Sequence, residues 1–238
     1  MRIFLIFIAL AALVSVSLKK KPYRVLVFSK TKGFRHETIE VGKLALIKLG
    51  RQNGFEADTT ENADFFTGQS LANYKAVIFF NTTGDVLNND QQAALEAFIE
   101  RGGGFVGIHS ATDTEYEWPW YGQLVGAFFK SHPKIQSAVL RKSIDAELTK
   151  NLPKELRWTD EWYNFKQISP DITVLYTLDE NTYEGGENGL NHPIVWRHEV
   201  GKGRAFYTAL GHTKENYTDP LFLNHLLAGI RYSVKDIK

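Results

Sequence analysis

Gly102-Gly103-Gly104-Phe105-Val106-Gly107-Ile108-His109-Ser110-Ala111-Thr112-Asp113 reads as a helix stop, a buried strand and a sharp turn in immediate succession. The three glycines break the helical pattern before them, and Phe105–Ile108 is a short apolar run of the kind buried on both faces of a sheet. Small residues on either side of position 109 permit a strand-to-helix turn that lifts the central side chain above the sheet. Hydrolases and amidotransferases place Ser or Cys at such an apex. Here it is His109, whose imidazole suits acid–base work or metal ligation. Ser110 lies one residue off the apex and is the weaker candidate nucleophile.

Upstream, Tyr23–Ser29 is another run rich in β-formers, followed by a helix that Thr38 is placed to cap and Gly54 to end after Asn53. Phe55–Thr60 and Ala76–Phe80 read as further strands. Asn89 opens a helix containing Leu95, Phe98 and Ile99, with Gln92 spaced for a capping box. Downstream, Ile135–Arg141 and Ile172–Leu178 read as strands, Ile194–Val200 and Arg204–Leu210 flank a Gly201-Lys202-Gly203 turn, and Phe222–Tyr232 is an amphipathic helix. Strands alternating with helices predict an α/β fold, a mostly parallel sheet with helices on both faces.

Charge and composition exclude several classes of function. The chain has 238 residues with 28 Lys+Arg against 27 Asp+Glu, a balance with no basic surplus for nucleic acid. Its 43% hydrophobic and 23% charged content is that of a globular protein. With no cysteine there is no disulfide, no thiolate metal site and no thiol nucleophile.

The N-terminus differs in kind. Arg2, the apolar run Ile3–Val14 and the small residues Ser15-Val16-Ser17 read as an export signal cleaved after Ser17. Residues 18–238 are then a single exported domain, periplasmic or secreted, without a transmembrane segment. Loss of Arg2 leaves 27 positive and 27 negative groups. An uncleaved anchor, flanked by Lys19-Lys20-Lys21, is the competing reading.

Ligands of open α/β sheets bind beyond the carboxyl ends of the strands. The turns expected there are Lys32-Gly33-Phe34-Arg35-His36-Glu37, Asn81-Thr82-Thr83-Gly84-Asp85, His109–Thr114 and Ala209-Leu210-Gly211-His212-Thr213, and three of the four carry a histidine.

Lys32–His36, Gly102–Asp113, Trp120-Tyr121, His132-Pro133, Asp160-Glu161-Trp162-Tyr163, Gly201-Lys202-Gly203-Arg204 and Tyr207–His212 together resemble the ThuA (trehalose utilisation) family, from about Arg24 to Tyr232. The resemblance implies a flavodoxin-like three-layer sandwich of the class I glutamine amidotransferase type whose nucleophilic Cys is lost. It also implies a role in carbohydrate metabolism.

The residues themselves nominate His109, His36, His212, Glu161 and Asp113 for catalysis, with Asp113 near enough to His109 to orient it or to cap the next helix. Asp160 is expected to cap a helix or to pair with a cation. Arg35, His132, Trp120, Tyr121 and Trp162 are candidate substrate contacts, the aromatics because flat rings can pack against sugar C–H bonds. His192, His198 and His225 are expected to be structural.

His36, His109, His132 and His212 are the candidate ligands of a divalent metal such as zinc, which without thiolates needs imidazole and carboxylate donors. No HxH or HExxH spacing exists, so folding alone must bring them together. The favoured function is an exported isomerase or lyase of an oxidised disaccharide, with a glycoside hydrolase as a second enzymatic form. The partner is a small carbohydrate, and a homo-oligomer is left open. The alternative is a non-catalytic carbohydrate-binding or scaffold protein. A glutamine amidotransferase is excluded, because no cysteine can form its acyl intermediate.

Overall fold

In the computed structural model, which describes residues 22–238, the apolar runs of the first half become neighbouring strands of one sheet. The expected export signal, residues 1–17, lies outside the described residues. β1 (Tyr23–Phe28) leads through α1 (Ile39–Asn53) to β2 (Phe55–Thr60), and α2 (Gly68–Leu71), β3 (Ala76–Phe80), α3 (Asn89–Glu100) and β4 (Gly104–Ile108) follow. The second half holds α4 (Pro119–Val125), β5 (Phe128–Ser131), β6 (Gln136–Lys142), β7 (Glu155–Asp160) and β8 (Asn164–Lys166). It ends with β9 (Thr173–Asp179), β10 (Pro193–Val200), β11 (Gly203–Thr208) and α5 (Pro220–Ser233).

Nine strands form the sheet in the order β2-β1-β3-β4-β11-β10-β9-β6-β7. The five from β2 to β11 pair in parallel, and every pair from β11 to β7 is antiparallel. Four reversals bring β7 back to the direction of β11. The carboxyl ends of β1, β3, β4, β11 and β7, and the start of β6, therefore share one edge.

Both faces are covered, which is why β3 is buried along its whole length. Phe80 and Phe206 face one layer: Phe80 meets Tyr217, and Phe206 meets His225 of α5. α1 reaches the same layer through Gly42, where a Cβ would lie 2.1 Å from the Phe80 ring. Phe79 and Tyr207 face the other layer, against Tyr121 of α4 and Trp196. A two-stranded ribbon of β5 and β8 adds Phe165 there, 5.2 Å from Trp196. Among the described residues no helix is long and apolar enough to cross a membrane.

Two expected caps fall differently. Helix α3 is capped by Asn88, one residue earlier than expected, so the capping box closes on Gln91 rather than Gln92. Gln92 instead donates to Glu115. Thr38 makes no cap hydrogen bond, because its hydroxyl accepts from Asn81 Nδ2 at 2.8 Å.

His225 is buried on α5, and its Nε2 has no hydrogen-bond partner. Burial pushes its imidazole down from 6.5 to about 4. Between those values the unfolded chain binds a proton that the folded chain refuses, so stability falls as pH falls through this window. The slope is about 1.4 kcal/mol per pH unit, or about 3 kcal/mol across it. Urea denaturation at pH 7 and pH 4.5 is expected to show His225→Phe losing less stability on acidification than the wild type. Equal losses in the two proteins would refute this.

Candidate functional site

The shared edge gathers histidines distant in the chain. His36 follows β1, His109 follows β4, His212 follows β11, Glu161 follows β7, and His132 precedes β6. His36, His109, Glu161 and His212 each present one donor atom, and these atoms all lie within 4.8 Å of one another.

His109 stands on the sharp turn that its small neighbours permit. Its φ is 51°, a left-handed conformation that costs a non-glycine residue about 1–3 kcal/mol. The surroundings hold it there: its carbonyl accepts from Tyr207 Oη at 2.8 Å, and Thr112 Oγ1 lies 3.0 Å from the same hydroxyl. A Cβ at Gly107 would lie 2.9 Å from the Tyr207 ring, so the close packing beneath the turn requires glycine.

The orientation of the His109 ring follows from its neighbours. Nδ1 lies 2.8 Å from the carbonyl oxygen of Ala209, which can only accept, so Nδ1 carries the proton. Nε2 is thereby turned toward the cluster, 3.0 Å from His212 Nδ1 and 3.5 Å from Glu161 Oε2. His212 Nδ1 and Glu161 Oε2 are 3.1 Å apart, which closes a triangle. The His36 ring stands perpendicular to those of His109 and His212, at centroid distances of 4.8 and 5.1 Å, and its Nδ1 lies 3.4 Å from Ser110 Oγ.

These groups shift one another's protonation. Burial, followed by the charges of His109 and His212, pushes the His36 imidazole down to about 2, so it is neutral. Burial works to raise the Glu161 carboxyl, but the adjoining imidazoles of His109 and His212 outweigh it and hold it below the usual carboxylate range. Burial works to lower His212, while its hydrogen bond to Glu161 and that residue's charge raise it.

His132 stays outside the four-donor cluster but touches it. Its Nδ1 is shared between the Pro133 carbonyl at 2.9 Å and Glu161 Oε1 at 3.1 Å. Its side chain is 43% exposed, against 20% for His212 and 9% for Glu161, so the cluster opens to solvent on this side.

The other expected contacts have partners of their own. Tyr121 and Trp162 are fully buried, with the Tyr121 hydroxyl donating to Ala111 O and Trp162 Nε1 to Gln136 O, so neither offers a face to a sugar. Large aromatics gain most from burial once the polar tip has a partner. Trp120 stacks on Trp118 at 5.0 Å. Arg35 forks across Glu61 and Glu40.

Asp113 does not orient His109, a task the Ala209 carbonyl performs. Asp113 accepts from Tyr116 Oη at 2.7 Å, and α4 starts from Trp118 instead. Asp160 neither caps a helix nor pairs with a cation. Its buried carboxylate accepts from the backbone N–H groups of Glu161, Gly211 and His212 and from Asn216 Nδ2, bracing the loop that carries His212.

His192, His198 and His225 lie outside the cluster, as expected. Two aromatics not nominated as contacts do touch it. Tyr163 lies 4.3 Å from the His109 ring, and Phe34 packs edge-on against His36 at 4.9 Å. Nothing in the spacing of either residue marks it as different from a core aromatic.

A zinc ion with bonds of about 2.0–2.1 Å at tetrahedral angles sets its donors about 3.3 Å apart. The triangle of His109 Nε2, His212 Nδ1 and Glu161 Oε2, with edges of 3.0, 3.1 and 3.5 Å, fits one face of such a site, and His36 adds a donor atom within 4.8 Å of all three. The Ala209 carbonyl and His132 supply the outer contacts that orient such ligands.

Fold and site together define a three-layer α/β protein with a histidine–carboxylate cluster at the carboxyl ends of its strands. The chain belongs to the ThuA family, described as trehalose utilisation, whose sequence model matches residues 24–233. That membership carries a carbohydrate-related role.

Among solved structures the chain is similar to a ThuA-like protein from Bacteroides uniformis, with 24% identity, a TM-score of 0.76, and coverage of 92% of this chain and 94% of that one. A ThuA-like protein from Parabacteroides merdae gives 20% identity, a TM-score of 0.76 and coverage of 91% of each chain. A β-galactosidase from Bacillus circulans sp. alkalophilus gives 16% identity and a TM-score of 0.55, with 91% of this chain matching 31% of that one. At these identities the likeness is one of fold. No curated protein matches the chain in sequence.

Proposed function

We propose that this is an exported enzyme that isomerises or cleaves an oxidised sugar of the trehalose type, with a divalent ion, zinc for this donor set, held by His109, His212, Glu161 and His36. The observation that carries the reading is the triangle of His109 Nε2, His212 Nδ1 and Glu161 Oε2, with edges of 3.0–3.5 Å. Family membership supplies the carbohydrate. Bound there, the ion supplies Lewis acidity to an oxygen of the sugar.

The side chains do the rest. Ala209 orients the His109 ring, and Asp160 holds the His212 loop in place. His132 gives its Nδ1–H to Pro133 O and Glu161, which leaves Nε2 free to take a proton from the carbon beside the sugar carbonyl. Tyr163 and Phe129, 4.4 Å apart, wall the side beneath His132.

The test is solvent exchange in heavy water with zinc-loaded protein, offered trehalose and its keto derivative. The keto sugar is expected to gain deuterium beside its carbonyl, and His132→Ala is expected to slow this by about 100-fold or more. Exchange at equal rates in metal-free protein would remove the metal from the mechanism. Sugar binding with no exchange or product would support the non-catalytic alternative.

A further inference from the structure

Among the described residues Phe34 is the one aromatic residue that meets the cluster while remaining largely in solvent: its ring contacts His36 at 4.9 Å and 86°, yet 65% of the residue is exposed. Among the described residues it pairs with no other aromatic ring. A loose loop does not account for this exposure. Lys32 N donates to Thr83 O at 2.8 Å, Gly33 N donates to Thr83 Oγ1 at 3.2 Å, and that hydroxyl donates to Phe34 O at 2.9 Å. The backbone is thus tied to the turn after β3 on both sides of the ring. The guanidinium of the adjoining Arg35 is engaged by Glu61 and Glu40. Across the cluster stands His132, the other well-exposed group, which reaches Glu161 at 3.1 Å.

A fixed, solvent-facing ring without a hydroxyl, beside a polar cluster, matches the two-sided chemistry of a pyranose. A gluco-configured ring carries its hydroxyls around the rim and its C–H bonds on the two faces. Those C–H bonds pack against an aromatic π-face while the rim meets polar groups. We infer that Phe34 is the stacking platform for the apolar face of a hexopyranose bound at the cluster, and so a specificity-determining residue. The inference rests on the carbohydrate function proposed above.

The test titrates the zinc-loaded full chain with trehalose and with methyl α-D-glucopyranoside. Sorbitol, which has similar hydroxyls but no ring face, serves as the control. Phe34→Ala is expected to weaken both pyranosides about tenfold and to leave zinc content and sorbitol binding unchanged, while Phe34→Trp restores pyranoside affinity. Wild-type affinity for both pyranosides in Phe34→Ala overturns the inference and leaves the carbohydrate function standing. If that variant instead sediments as a smaller species with unaltered sugar affinity, the ring belongs to a subunit contact and the inference is likewise overturned. Failure of the wild type to bind any pyranoside removes the carbohydrate function itself, and the inference with it.

Discussion

Titration of the purified chain with zinc is expected to saturate at one ion per chain and to raise its melting temperature steeply. An ion that binds only the folded state at a free concentration of 1,000 times Kd stabilises it by about 4 kcal/mol. For a domain of this size each kcal/mol moves Tm by roughly 2–4 °C, so an increase of roughly 8–16 °C follows, reversible by a chelator. Glu161→Gln keeps the shape of the side chain but removes one corner of the donor triangle, and is expected to abolish most of the shift. His109→Ala removes another corner, although the left-handed backbone there makes its folding a separate matter. Binding should weaken on acidification, because Glu161 holds a proton on His212 above its ordinary value and the ion must displace it. A chain that takes up no zinc, or a Glu161→Gln variant stabilised as much as the wild type, would leave the cluster as a hydrogen-bonded network only.

The adjacent carboxylate is expected to behave in the opposite way. Asp160→Ala leaves four buried donors without an acceptor: three backbone N–H groups and Asn216 Nδ2. At about 1 kcal/mol or more per unsatisfied donor, the loss is about 4 kcal/mol, read as a lower urea midpoint. Zinc binding should go with it, because the loop carrying His212 loses its anchor. Burial raises the Asp160 carboxyl, and the charge of His109 and the donated hydrogen bonds work against that shift. Asp160→Asn, which turns an N–H₂ toward some of those donors, is expected to fall between wild type and alanine. Glu161→Gln should keep its urea midpoint while losing the metal. If the two positions respond alike, the division between brace and ligand is wrong.

That division marks the limit of what the sequence conveys. The parallel half of the sheet is legible because β1, β3 and β4 are short apolar runs cut off by Gly and polar turns, and the turns after β1, β4 and β11 locate His36, His109 and His212. The antiparallel half is less so. β7, Glu155–Asp160, is an edge strand whose exposed side carries Glu155, Arg157 and Thr159, so its composition looks like that of a loop. β5 and β8 are too short to show a period. The different tasks of Asp160 and Glu161 depend on N–H groups some 50 residues further along the chain, which no local pattern contains. Trp162 and Tyr121 invited a sugar-facing reading, whereas the core claimed them for their area. Phe34 lies in a turn expected at the sheet edge, yet only folding reveals that its ring is the one left outside.

The even number of reversals between β11 and β7 has a corollary. Because β7 must end on the rim where the imidazoles wait, Glu161 stays in service only while the number of antiparallel steps between β11 and β7 is even. A solitary antiparallel strand inserted or removed between them would deliver the carboxylate to the opposite side of the molecule.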